Sequence, residues 1–508
     1  MTCRSFTKII IIIAVLTTII YPQTIGDALR LGTPGLGSSA RALGMGNSYI
    51  GLSDDASAAF FNPAGFGLLK SLEFSGGLDF SKFNNNATLT NNGTSLGTAM
   101  SDNSNSTKLD RLSFAFPYPT VQGSLVFGIS YQNDKDFNSI LSFNGFNPNS
   151  TYINYLANSV NYLNYTIDAT HPAPHEITAD LHLSSPVYGT DGKLSGESTL
   201  LTGLLNQSGN VLNSGGINNW TLSGAIEIYK NLFIGLNLEL ISGSYESNSD
   251  YYEDATANSY KGITDTTNAG TTNFKTFYLN RLLKWDISGW DAKLGFLYQF
   301  NKMSRLGITV QFPKTFTVKE SFTTNGYSQF LNQIYNLDPI NYSYENVQYD
   351  IVTPFELGAG FSFNIRGLIL SADGTLIDYS QLKFENYSNG SNNDQSQYFE
   401  GINKSIKNNL AAVFNYNLGA EYTLRDLGLR LRAGFFVQPS PYKGDPASYD
   451  KKYFTLGAGI LTDETVGLDI AYAHGWYNNI GDNYSSDVSR TAQTITEDHF
   501  ILSGTYRF

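Results

Sequence analysis

"FIGLNLELISG", residues 233–243, alternates with a period of two: Ile234, Leu236, Leu238 and Leu240 fall on one face of an extended chain, and Gly235, Asn237 and Glu239 on the other. The pattern recurs along the chain. In "VGLDIAYAH" (466–474), Leu468, Ile470 and Tyr472 oppose Asp469, Ala471 and Ala473. In "FELGAGFSF" (355–363), Phe355, Leu357, Ala359, Phe361 and Phe363 oppose Glu356, Gly358, Gly360 and Ser362. In "LRLRAGFFVQ" (429–438), Leu429, Leu431, Ala433, Phe435 and Val437 oppose Arg430, Arg432, Gly434, Phe436 and Gln438, and "FILSGTYRF" (500–508) ends the chain in the same way. These are half-buried strands, and the open question is which medium their apolar rows face.

Composition answers it. The 508 residues are 15% charged and 14% aromatic, with 48 glycines, where a soluble chain carries about 25% charged residues. Mean hydropathy is only −0.20, and beyond residue 23 no apolar run reaches the ~18 residues of a membrane helix. Low charge, many aromatics and glycines, and alternation in place of long apolar runs together describe a transmembrane β-barrel, lipid-facing on one row and lumen-facing on the other. Slipping the register by one residue would turn Arg430 and Arg432 to lipid together, at about 2–4 kcal/mol per charge at the midplane. The apolar rows therefore face lipid, and the lumen is polar, mixed in charge and rich in glycine. A soluble β-sandwich or propeller would use the same alternation for core and solvent, but the segments are long and carry no propeller repeat. The net charge of −12 leaves no basic patch for phosphates and excludes nucleic-acid binding.

The N-terminus fixes the compartment. Arg4 and Lys8 precede Ile9 to Ile20, interrupted only by Thr17 and Thr18, too short for a membrane span and suited to a secretory signal peptide. Residues 1–23 are read as that signal, with cleavage between Tyr21 and Asp27; Cys3 is lost with it, which leaves the mature chain without cysteine for a disulfide or thiolate metal site. Residues 24–71 form an N-terminal segment and 72–508 the barrel. Export plus a barrel implies a multi-pass protein of the outer membrane of a Gram-negative-type bacterium, in contact with its lipid and lipopolysaccharide.

Period-two segments fall near 72–82, 110–117, 123–132, 219–229, 232–245, 286–300, 305–316, 354–363, 367–378, 410–423, 428–438, 452–461, 465–476 and 498–508, fourteen in all. An even number is what a single-chain bacterial barrel needs. Short connections (118–122, 230–231, 301–304, 364–366, 424–427, 462–464) alternate with long ones (83–109, 133–218, 246–285, 317–353, 379–409, 439–451, 477–497), matching short periplasmic turns and long extracellular loops. The longest, 133–218, contains "INYLANSVNYLNYTI" (153–167), a short helix or hydrophobic flap that either contacts ligand or packs on its own loop.

Catalytic signals are weak. "GTSLG" (93–97) has the spacing of a nucleophile elbow but lies in an Asn-rich loop, not on a strand-to-helix bend. In "HPAPH", two prolines keep His171 and His175 from sharing a helix face. No Walker A sequence is present. The reading is a non-enzyme with no cofactor and no metal site.

The 26–67 stretch, "GDALRLGTPGLGSSARALGMGNSYIGLSDDASAAFFNPAGFG", is small, glycine-rich and semi-apolar, and its Asn62-Pro63-Ala64 follows the run from Asp54 to Ala59. It resembles the N-terminal hatch of the FadL/TodX family of outer-membrane transporters for long-chain fatty acids and other hydrophobic compounds. So do "DAKLGFLYQFNKMSRLGITVQFPKTF" (291–316), "TPFELGAGFSFNIRGLILSADGTLIDYS" (353–380) and "LRAGFFVQPSPYKGDPASYDKKYFTLGAGI" (431–460). The resemblance implies an all-β, 14-stranded antiparallel transmembrane β-barrel with the hatch plugging the lumen, and passive uptake of fatty acids, hydrocarbons or similar molecules past the hatch or through a lateral opening. It implies that Asn62, Pro63 and Ala64 set gating while Phe60, Phe61 and Phe66 wall an acyl chain. Arg41, Lys293, Arg430 and Arg432 are the cations placed to meet a carboxylate head, with Arg430 alternatively paired to Glu421 or Asp469. The terminal Phe508 is typical of barrels delivered by the barrel assembly machinery. The second extracellular loop is much longer than in the better-known fatty acid transporters. A type IX secretion shuttle barrel, whose opening resembles "ARALGMGNSYIGLSDDASAAFFNPAG" (40–65), is the alternative; it would bind exported proteins.

Overall fold

A computed structural model describes residues 23–508 except 38, 159–173, 193, 257–259, 388–395, 463–464 and 486–487. The signal reading and His171 of "HPAPH" lie outside the described residues. Fourteen antiparallel strands form the wall: β1 (Glu73–Asn91), β2 (Met100–Tyr118), β3 (Leu125–Asp136, continuing as Ser139–Asn147), β4 (Leu205–Tyr229), β5 (Leu232–Ala255), β6 (Thr276–Gln299) and β7 (Ser304–Gln311, continuing as Thr315–Gln329). The second half is β8 (Ser343–Val352, continuing as Glu356–Ile365), β9 (Leu368–Asp378, continuing as Lys383–Asn386), β10 (Ala412–Leu424), β11 (Leu429–Gln438), β12 (Lys451–Thr462), β13 (Val466–Ser485) and β14 (Ser489–Arg507). Strand β14 pairs β1 from Arg507↔Glu73 to Arg490↔Thr90 and closes the barrel. Closure pairs the first and last strands, as a span through hydrocarbon requires.

The apolar rows point outward: Leu236, Leu238, Leu240, Leu418, Leu456 and Leu468 are all exposed on the outer surface. Trp220, Trp290 and Trp476 mark one end of this belt and Tyr229, Phe300, Tyr422 and Phe508 the other, the girdles expected at the two interfaces.

The long connections are shorter than the periodicity suggests. The 83–109 stretch continues β1 to Asn91 and begins β2 at Met100, and Asn92 and Gly93, at φ 47° and 75°, make a tight turn at the "GTSLG" site. The 477–497 stretch is almost all strand, and 246–285 shrinks to 256–275. These outer ends rise clear of the lipid; those of 83–109 and 477–497 are mostly polar, and those of 246–285 turn Tyr251, Phe277 and Leu279 inward, so no lipid-facing alternation marks them.

The described residues of the 148–204 stretch remain a true insertion and fold as a cap. Its α4 (Tyr152–Ala157) and α5 (Pro174–Asp180) bury Ile153, Leu156 and Ile177 against Phe143, Tyr251 and Phe277 of the wall. The cap is anchored by Glu253 on the outer part of β5, which accepts from Tyr152 N (2.6 Å), Ile153 N (3.3 Å), Gln207 Nε2 (2.8 Å) and the Tyr251 hydroxyl (3.0 Å).

Two tests follow from this architecture. Leu418→Arg puts a charge in the lipid belt and should lower stability in vesicles by about 2–4 kcal/mol, whereas Leu427→Arg, in an exposed turn, should change it little; equal effects would contradict the assigned belt. Burial pushes the Glu253 carboxyl up to about 7 from 4.5 despite its hydrogen-bond donors. Because the folded value is the higher, its contribution is full below about 4.5 and is lost as pH rises through about 7. Proteolysis of the cap should therefore speed up across that range in the native chain and show no such pH step in Glu253→Gln.

Candidate functional site

The described residues of 23–69 lie inside the wall. Thr24 and Asp27 form a capping box on α1 (Ile25–Gly32), which buries Ala28, Leu29 and Leu31 against Trp285, Tyr349 and Phe384. Lys135 closes the other end, donating to Arg30 O (3.0 Å) and Leu31 O (2.6 Å). The chain then runs through α2 (Ala40–Gly44), α3 (Ala58–Phe61) and a 3-10 turn, Pro63–Leu68, before entering β1.

The wall is shaped to receive this backbone. Gly235, Gly295, Gly307, Gly360, Gly419 and Gly434, on the inward rows of six strands, touch main chain or Asn62 so closely that a Cβ on any of them would overlap it. Polar wall side chains supply the missing partners. Ile50 N donates to Asp373 Oδ2 (2.6 Å), Gly46 N to Thr455 Oγ1 (3.1 Å) and Ala56 N to Glu73 Oε1 (2.7 Å). Asn417 Nδ2 donates to Asn47 O (2.8 Å), Ser362 Oγ to Gly51 O (2.9 Å), and Asn237 to Ala59 O.

Asn62 is fully buried and uses its whole amide. Nδ2 donates to Ile50 O (2.9 Å) and to Phe296 O of β6 (3.0 Å), and Oδ1 accepts from Ala64 N (3.1 Å). Pro63 occupies the first position of the 3-10 turn, where its missing N–H costs nothing. The Asn-Pro-Ala sequence is thus a junction between two parts of the segment and the wall. Phe60 and Phe61 line a luminal cavity, while Phe66 is packed away from it against Ala115, Val126 and Ala225.

The four candidate cations behave differently. Arg41 contacts Glu421 (3.1 Å), Asp54 (2.5 Å), Asp55 (3.3 Å) and the Tyr49 hydroxyl (2.9 Å), and Arg305 holds the other oxygen of Asp54 at 3.0 Å. Arg432 reaches Glu421 and Asp469, both at 2.6 Å. Lys293 donates to Phe60 O (2.5 Å) with its ammonium 5.3 Å from the Phe60 ring centroid. It is Arg432, not Arg430, that pairs with Glu421 and Asp469. Asp54, Asp55, Tyr49, Arg305 and Asp373 were missed as site residues; the one signal was two adjacent acids inside an apolar stretch.

The wall has a gap. Strands β2 and β3 are laddered only over Arg111–Tyr118 against Leu125–Gln132. Beyond it the register of β3 slips between Asn133 and Lys135, and Ser139–Asn147 lies near the inner face of β1, where Asn85 Nδ2 donates to Ile140 O (3.0 Å). Side chains replace the ladder: Lys108 reaches Asp136 Oδ1 (2.7 Å) and Gly215 O (3.2 Å), and Asn138 Nδ2 donates to Ser106 Oγ (3.3 Å). On the outside lies a depression of about 540 Å³. It shares Asn133 and Asn138 with an internal cavity of about 260 Å³. That cavity in turn shares Pro34, Gly35, Leu36, Asp134 and Gln438 with the chamber of about 120 Å³ beside Phe60 and Phe61. Three spaces thus adjoin from the outer surface to the N-terminal segment.

No family model and no curated protein matches the chain. Among solved structures, a Pseudomonas aeruginosa FadL homologue matches with a TM-score of 0.56 and 14% identity over 94% of this chain and 99% of that one. The P. putida toluene transporter TodX matches at 0.50 and 12% identity over 93% and 99%. A TodX deletion mutant titled a monoaromatic hydrocarbon channel matches at 0.52 and 12% over 94% and 99%. These likenesses show the fold.

Gly434→Val gives a side chain no room beside Gly46 and should cost about 1–3 kcal/mol of seating, with faster proteolysis of residues 23–69. The outward neighbour Ala433→Val should leave the rate unchanged.

Proposed function

We propose that this chain, whose fold is that of the FadL family of outer-membrane barrels, passively admits hydrophobic small molecules across the outer membrane, with residues 24–71 as a hatch. The observation that carries the reading is the series of adjoining spaces from the gap between β2 and β3 to the hatch. An apolar solute enters from the lipid or from the extracellular side, passes the Lys108–Asp136 crossing and reaches Phe60 and Phe61. Its own gradient drives the movement. In this reading Asn62, Pro63 and Ala64 hold the hatch to β6, and displacement of the hatch releases solute toward the periplasm.

Fatty acids are the ligand that the sequence resemblance implies, and they would need a free cation for the head group. Arg41 and Arg432 are committed to protein carboxylates, so a fatty acid head group would depend on Lys293 or Arg430. Two of the solved neighbours described above are a toluene transporter and a monoaromatic hydrocarbon channel, and no specific observation favours the protein-shuttle alternative.

Vesicles containing the purified barrel should take up toluene and a long-chain alkane faster than vesicles without it; equal rates would sink the uptake reading. Asn138→Trp fills the neck between the outer depression and the inner cavity, and uptake should fall about tenfold, as expected where binding and passage share one constriction. Uptake preserved in a folded Asn138→Trp variant would remove the wall gap from the route.

A further inference from the structure

The chamber beside Phe60 and Phe61 is too small for a whole drug-sized or long-chain ligand. Its volume is about 120 Å³, against roughly 300–1,000 Å³ for sites that enclose a drug-sized molecule. It can hold one end of one. Its apolar side is Phe60, Phe61, Ile50 and Phe436. Its polar side holds two unmatched acceptors. Asn219 Nδ2 donates to Glu239 Oε2 (3.1 Å) and Asn47 Nδ2 donates to Leu36 O, which fixes both amides with their oxygens the other way. Asn219 Oδ1 and Asn47 Oδ1 then have no hydrogen-bond partner, although the two residues are 1% and 7% exposed. Unmatched buried acceptors cost about 1–3 kcal/mol each unless something donates to them.

Charge points the same way. Asp134, Glu239 and Glu356 line the chamber against Lys293 and Lys314. Lys314 sits between Asp134 (3.8 Å) and Asp291 (3.6 Å), and Lys293 is bonded to Phe60 O. A carboxylate entering here would meet three carboxyl groups and two lysines already engaged by protein partners, and would bring further acceptors.

Building on the uptake reading, we propose that the chamber receives the head group of an amphiphile that donates hydrogen bonds and is not anionic, a hydroxyl or an ammonium. The alkyl part lies against Phe60, Phe61 and Phe436, and the head donates to Asn219 Oδ1 and Asn47 Oδ1 beside Glu239. Asn219, Asn47 and Glu239 are then specificity-determining residues.

The test is binding of an alkane, alcohol, amine and carboxylate of equal chain length to the purified full-length barrel in detergent. The alcohol and amine should bind about tenfold more tightly than the alkane and carboxylate, the scale of one buried hydrogen bond. Asn219→Leu should collapse the alcohol-to-alkane affinity ratio toward one. Glu239→Gln, nearly isosteric and therefore a check on folding, should lower the amine-to-alcohol ratio. If all four bind alike, or the carboxylate binds best, the head-group assignment is wrong while the uptake reading stands. If none binds, both fail.

Discussion

Irregular backbone at membrane depth has no water to satisfy it, so it survives only where protein supplies every partner. The N-terminal segment is such a backbone, and the wall is arranged around that requirement. Inward glycines on six strands let the main chain come close, and Asp373, Thr455, Glu73, Ser362, Asn417 and Asn237 reach the amides and carbonyls so exposed. The same strands present leucine and phenylalanine to lipid on their alternate positions. Period two lets one sequence meet both demands.

The second consequence is electrostatic. Filling a lumen removes water from its charges, and a buried charge must then find a partner. Register decides which one. Glu421 lies directly across from Arg432 in the ladder between β10 and β11, whereas Arg430 lies across from Thr423 and Gly459. Cross-strand neighbours are close enough to bond, so Arg432 takes Glu421, and Arg41 from the N-terminal segment takes the other side of the same carboxylate. Glu421 thereby joins the segment to two strands. A cation used in this way is not free for a ligand, which is why candidate cations chosen by type and approximate depth divide into structural and available ones only once the register is known.

Much of the barrel was legible because lipid imposes a strict pattern. All fourteen strands overlap segments found by alternation, and the short turns fall where expected. Strand length was not legible: "FNNNATLTN" and "MSDNSNSTK" are polar on both faces and read as loops, yet they pair residue by residue. Nor was the gap, since "LSFAFPY" and "LVFGISYQ" alternate cleanly up to the point where β2 and β3 part. What separates them is a local register slip at Asn133–Lys135, and a bulge leaves little trace in hydrophobic periodicity. The chamber was hidden for another reason: its residues come from the N-terminal segment and nine strands, from Pro34 to Gln438, and no spacing in the chain brings them together.

Motion in such a plug must follow the distribution of its bonds. Residues 39–67 are tied to the wall by charge, amide and glycine contacts at nearly every turn, and releasing them together would break many hydrogen bonds, each worth about 1 kcal/mol net and more when its partner is left buried. Pro34–Gly37 is different. Among the described residues its side-chain tie is Asn47 donating to Leu36 O, and it forms the partition shared by the two inner cavities. In the proposed uptake the seated part of the segment would act as the fixed frame, and Pro34–Leu36, which lines both inner cavities, would be the stretch whose displacement merges them.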